Sequence, residues 1–194
     1  MLKPETRSIY FNAQGNGLRV RYTGAVSETR WLDDEEQRTW RAFLSATRLL
    51  WAQLDRELQA EAAMPNSYYA ILVLLSEAPR RALRMSDLAG ATQSSPSRMS
   101  HAIGRLEKAG WVRRESCPND RRGWYAVLTD EGLATLEAAA PKHLVSVRTH
   151  LFDQLSREQL CQLRQISESL VSHLSSVEGV DECVTAAAVP PAEL

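Results

Sequence analysis

The sequence predicts a mainly α-helical fold that carries one small β-hairpin, and three observations lead there. Apolar residues recur at steps of three and four through most of residues 33–177, as they do on amphipathic helices. Serine, threonine or aspartate stands just ahead of these stretches, where helices take their N-caps. Between residues 111 and 129 the period falls to two, around a Pro/Asn/Asp/Gly cluster, as in a β-hairpin.

Residues 1–29 contain Gly15, Gly17 and Gly24, a short alternating stretch (LRVRY) and no helical period. They are expected to form an extension, flexible or loosely docked. A long helix is expected from Asp33, with Glu36 completing an acidic capping box. Its stripe of Trp40, Phe43, Leu44, Thr47, Leu50, Trp51, Leu54 and Leu58 is expected to be buried, ending near Met64 and Pro65. Asn66 or Ser67 should cap the next helix (YYAILVLLSEA), which is apolar nearly all round and therefore central; Pro79 ends it.

Two short helices follow. Ser86 should cap the first (DLAGAT), and Gln93 and Ser94 form a turn. Ser95 should cap the second, with Pro96 at its first position, where a missing N–H costs nothing. That helix runs to Gly110, a natural stop. Helix, short turn, helix is the spacing of a helix-turn-helix. WVRRES and WYAVLT then read as strands joined by the loop CPNDRRG, and a basic hairpin in that place is a wing. Thr129 should cap a helix carrying Leu133, Leu136, Ala140, Leu144, Val147 and Leu151, kinked at Pro141. Ser156 and Gln159 form a capping box for a last helix with Leu160, Leu163, Ile166, Leu170, Leu174 and Val177; residues 178–194 read as a frayed tail.

Composition narrows the function. The net charge of −1 hides an asymmetry: residues 80–125 carry +6 and the remainder −7. A local basic patch on a slightly acidic chain suits a protein that meets a polyanion with one part only. No apolar run approaches the roughly 20 residues that span a bilayer. The start of the chain has no apolar signal segment, so a cytoplasmic location is expected. Cys117, Cys161 and Cys183 are odd in number and show no ligand spacing, and His143, His150 and His173 are spread out. Neither a disulfide framework nor a metal site is expected, and no cofactor. The sequence shows no phosphate loop, GxSxG elbow or HExxH, so no enzymatic activity is expected.

The second helix of the pair separates into two faces. Met99, Ala102, Ile103 and Leu106 face the core, whereas Ser97, Arg98, His101, Arg105 and Lys108 form a polar stripe. A major groove admits one α-helix, and residues near its N-terminus reach base edges. Ser97, Arg98 and His101, with the capping Ser95, are placed for that task, and Arg105 and Lys108 for phosphates. Asp120, Arg121 and Arg122 lie close together on the wing, where an arginine can enter a narrow minor groove.

The stretch SPSRMSHAIGRLEKAGWVRRESCPNDRRGWYAVLTDEG resembles the signature of the MarR family of winged helix-turn-helix regulators. In that family a D-x-R pair on the wing precedes L-T-x-x-G; here these are Asp120 and Arg122, then Leu128, Thr129 and Gly132. The resemblance covers about residues 31–175 and leaves the extension outside. It implies recognition-helix roles for Ser97, Arg98 and His101, and a wing role for Arg122, shared with Arg121. It also implies a homodimer built on the terminal helices, reading a palindromic operator in double-stranded DNA as a repressor. The coiled-coil-like spacing of Leu160–Val177 agrees with a dimer. The expected organisation is then an extension (1–29), an N-terminal dimerisation helix (30–66), a DNA-binding lobe (67–129), C-terminal dimerisation helices (130–177) and a tail (178–194).

The resemblance further implies release from DNA by a small, often aromatic, anion. Trp40, Arg41, Arg48, Tyr68 and Tyr69 lie on the two helices expected to border such a pocket, and aromatic walls with a guanidinium suit an aromatic carboxylate. Two alternatives stand beside it: a redox trigger at Cys117, next to the basic wing, and a winged helix used for protein contacts without DNA.

Overall fold

The computed structural model describes residues 6–11, 17–21, 30–117 and 120–178, with the side chains of 30–117 and 123–176. The chain divides into two units, Met1–Leu44 and Ser45–Leu194. In the first unit, β1 (Thr6–Phe11) pairs antiparallel with β2 (Gly17–Arg21), in the region where the sequence showed only a short alternation. Residues 12–16 and 22–29 of the expected extension lie outside the described residues, as do 179–194 of the expected tail.

Helix α1 (Asp34–Ala62) begins in the first unit and ends in the second. Its capping box forms as expected: Asp33 N–H donates to Glu36 Oε2 and Glu36 N–H to Asp33 Oδ1, each at 2.8 Å. The stripe expected to be buried is not buried along its length. Leu54 and Leu58 are covered, but Trp40, Phe43, Leu44 and Trp51 are exposed. A regular period identifies a face that needs cover without saying that the same chain supplies it.

Helix α2 (Asn66–Glu77) sits at the centre of the core, with Ile71, Leu72 and Leu75 buried. Neither Asn66 nor Ser67 caps it. Pro65 holds the cap position, and the Asn66 N–H donates to Asp55 Oδ1 of α1 at 2.8 Å. The orphan donor at the helix start is thus satisfied from another helix, which local sequence does not reveal.

A 3-10 turn at Pro79–Arg81 leads into β3 (Ala82–Arg84), a strand not anticipated from sequence because three residues carry no period. Helix α3 (Met85–Ala91) starts one residue before Ser86, so Ser86 does not cap it; its hydroxyl donates to Asp87 instead. Then come α4 (Pro96–Lys108), β4 (Val112–Cys117) and β5 (Asp120–Leu128). The sheet order is β3-β5-β4, antiparallel throughout. Met64, Leu72, Leu75, Leu88, Met99, Ile103 and Leu106 are fully buried between the helices and this sheet.

Helix α5 (Asp130–His150) runs unbroken through Pro141. Its buried positions are Gly132, Leu136, Ala139 and Ser146, while Leu144 of the expected apolar row is exposed. Glu57 of α1 ties the two helices together. It accepts hydrogen bonds from Ser146, Gln53 and His150, the last at 2.7 Å. These donors, Ser146 first, hold its carboxyl down to about 2. Helix α6 (Arg157–Glu178) opens with the expected box, Ser156 N–H to Gln159 Oε1 at 2.9 Å and Gln159 N–H to Ser156 Oγ at 3.2 Å. Its apolar row, Leu160, Leu163, Ile166, Leu170 and Leu174, is exposed; the side chain of Val177 lies outside the described residues. Among the described residues, no helix is long and apolar enough to cross a membrane.

Candidate nucleic-acid interface

The turn between α3 and α4 is set by backbone geometry. Gln93 adopts φ 48°, and the N–H groups of Thr92, Gln93 and Ser94 close back onto Leu88, Gly90 and Ala89 at 2.9–3.1 Å. Ser95 then caps α4, accepting from the Arg98 N–H at 3.3 Å, with Pro96 at the first position. Inward, Met99, Ile103 and Leu106 are 2% exposed or less. Burying each stabilises the lobe by roughly 1.5–3 kcal/mol, which fixes the helix rotation. Outward, Ser95, Ser97, Arg98, His101, Arg105 and Lys108 are all exposed on the remaining face.

The far end of α4 closes in a Schellman motif. Gly110 takes φ 79°; its N–H donates to Glu107 O and the Trp111 N–H to Leu106 O, both at 3.0 Å. Thr129 completes the joint. Its hydroxyl donates to Gly110 O at 2.7 Å and accepts from the Gly132 N–H at 2.9 Å, capping α5. A Cβ at Gly132 would lie 2.1 Å from Trp111 O, so only glycine fits. The L-T-x-x-G stretch therefore has a physical content: it locks the start of α5 against the exit of α4.

The wing hairpin is tighter than expected. Strands β4 and β5 leave only residues 118–119 between them, and Cys117 pairs with Asp120 after a register shift. Asp120, Arg121 and Arg122 belong to the start of β5 rather than to a loop, and their side chains lie outside the described residues. Cys117 is buried, 5% exposed.

A cavity of about 970 Å³ adjoins α4. Trp51, Tyr68, Tyr69, His143, Arg98 and Arg105 are among its lining residues. None of its lining residues carries a carboxylate. The Tyr69 and His143 rings lie 4.4 Å apart. Burial pushes the Tyr69 hydroxyl pKa up and the His143 pKa down, so the imidazole is favoured neutral. Of the residues expected to border a pocket, Tyr68 and Tyr69 line this one; Arg48 does not, and Trp40 and Arg41 belong to the first unit. Sequence reasoning missed Trp51 and His143 as lining residues, and missed that Arg98, His101 and Arg105 serve both the outer face of α4 and the cavity wall. Among the described residues, no three His, Cys, Asp or Glu side chains group as a metal site.

Comparisons with known proteins agree with this architecture. A family model described as the MarR family matches residues 64–123. The transcriptional repressor MprA of Escherichia coli K12 is 30% identical over 125 residues, 64% of this chain and 69% of that protein. The crystal structure of Sco3205, a MarR family transcriptional regulator from Streptomyces coelicolor solved in complex with DNA, superposes with a TM-score of 0.72 at 50% identity. That match covers 75% of this chain and 92% of Sco3205. AbsC, a MarR family regulator from the same organism, gives a TM-score of 0.71 at 48% identity, over 76% of this chain and 99% of AbsC. With the winged helix-turn-helix and the D-x-R and L-T-x-x-G elements in place, the chain belongs to the MarR family.

Proposed function

We propose that this chain is a sequence-specific DNA-binding transcriptional regulator, a repressor rather than an enzyme, acting in the cytoplasm as a homodimer on an imperfect palindrome. The observation that carries the reading is the exposed row Ser97, Arg98, His101, Arg105 and Lys108 on a helix whose other side is buried. Ser97, Arg98 and His101 meet base edges; Arg105 and Lys108 meet phosphates. Arg122, with Arg121, enters the adjacent minor groove, and Asp120 holds a neighbouring guanidinium in direction. The uncovered apolar row of α6 supports self-association, which sets two recognition helices about 34 Å apart.

The test is selection of bound duplex from a random pool, followed by affinity measurements on variants. Arg98→Ala should cost about 1–3 kcal/mol and relax sequence preference. Arg105→Ala should weaken all sequences alike and reduce the salt slope by about one. Unchanged operator affinity in Arg98→Ala would defeat the recognition-helix assignment.

The cavity supports a small aromatic anion as the releasing ligand. A ring would lie against Trp51, Tyr68 and Tyr69, with its acid group at Arg98 or Arg105. Such a ligand acts only by preferring the form that does not hold DNA. Isothermal titration with a panel of phenolic acids tests this; no heat and no loss of DNA binding would retire that ligand class. The redox alternative finds no support in a buried Cys117, because a sensor thiol must be reached by oxidant. The basic outer face of α4 likewise speaks against a purely protein-binding module.

A further inference from the structure

Arg114 leaves strand β4 and turns back onto α4 instead of toward solvent. Its Nη2 donates to the Ser100 carbonyl at 2.8 Å. Its Nε lies 3.4 Å from Glu107 Oε2, and its backbone N–H donates to Glu107 Oε1 at 3.1 Å. The Ser100 carbonyl has a second lone pair, so the added donor leaves the helical hydrogen bond intact. Arg114 and Glu107 side chains are 29% and 31% exposed, so water and salt screen the pair only in part. Arg113 is the contrast: it is exposed and pairs with Glu115 on its own strand, bridging nothing.

Arg114 grips α4 at two points of its own: the backbone N–H on Glu107, and the guanidinium on the carbonyl of Ser100, two turns nearer the start of the helix. One anchor would let the helix pivot against the strand. Grips at the backbone and at the far end of the same side chain fix the angle between them. We propose that Arg114, together with Glu107, is a positioning brace that sets the angle of the recognition helix to the wing, so that both enter adjoining grooves at once. This rests on the reading of α4 and the wing as the DNA-contacting elements. The brace acts on specificity. Without it each element can still find phosphates, but the two no longer match one register of the duplex.

The test uses the full chain, with dissociation constants measured on the selected operator and on a scrambled duplex across a salt series. Arg105→Ala is the phosphate control and Arg98→Ala the base-contact control. Arg114→Ala should lower operator affinity about tenfold or more, change scrambled-duplex affinity less than about threefold, and leave the salt slope unchanged. Glu107→Gln should move the same ratio in the same direction, and the two changes combined should be less than additive. Arg114→Lys, which keeps the charge but not the planar fork, should recover part of the ratio.

An equal loss on both duplexes with the slope down by about one would make Arg114 a phosphate contact and overturn the brace. So would an unchanged ratio in Arg114→Ala and Glu107→Gln. Should Arg114→Ala fail to fold, Glu107→Gln carries the same test, since it keeps the side chain's size. Unchanged binding in both controls would sink the assignment of α4, and the brace with it.

Discussion

Helices α4 and α6 carry the same kind of apolar row, at steps of three and four, and meet opposite fates. On α4, Met99, Ile103 and Leu106 are 2% exposed or less, closed over by α2, α3 and the sheet. On α6, Leu160, Leu163, Ile166, Leu170 and Leu174 are 36–58% exposed. The winged-helix lobe finishes its core within one chain, whereas the described residues leave the apolar row of α6 uncovered. Periodicity states that a face must be covered; the chain that covers it is a separate matter.

The sharpest way to break this contrast is to truncate one residue on each helix. Ile103→Ala should cost about 2–5 kcal/mol of unfolding free energy, independent of protein concentration. Ile166→Ala should instead lower the melting temperature in a concentration-dependent manner, seen by calorimetry over a dilution series. Equal, concentration-independent losses would erase the distinction.

A charged pair on the uncovered row, Ile166→Asp with Leu170→Asp, should give a monomer by sedimentation. It should also weaken operator binding about a hundredfold, because the second half-site is no longer held at high effective concentration. A dimer that persists would move the self-association surface elsewhere.

Gly132→Ala sharpens the lobe's side of the comparison. Its Cβ would sit 2.1 Å from Trp111 O, which is backbone and cannot swing aside. A loss of about 1–3 kcal/mol or more is expected by denaturant titration. The smallest effect belongs to Glu57. Its carboxyl is held down from 4.5 to about 2, so its stabilising contribution is complete above pH 4.5 and is lost as pH falls toward 2. Glu57→Gln should therefore flatten the acid limb of the stability profile between those values, read by circular dichroism.

What the sequence disclosed was mostly what a few adjacent residues decide. Ser95 with Pro96, Asp33 with Glu36, Thr129, Ser156 with Gln159, and Gly110 each act within one turn of chain, and each behaves as its chemistry requires. Apart from Ser86, where the helix starts one residue early, the misreadings are non-local. The start of α2 is satisfied by Asp55, eleven residues back, and β3 exists because β5 offers it an edge. The polar row of α4 was legible because its apolar counterpart fixes the helix rotation. The cavity's mixed ownership was not, since His143 and Trp51 come to it from distant helices.

One threonine has the last mechanical word. The Thr129 hydroxyl grips the Gly110 carbonyl just past the end of α4 and, in the same stroke, an amide in the first turn of α5. Two levers pinned on a single bolt share their play: a tilt delivered along α5 reaches the end of α4 directly, without passing through the hairpin that joins the two helices in sequence.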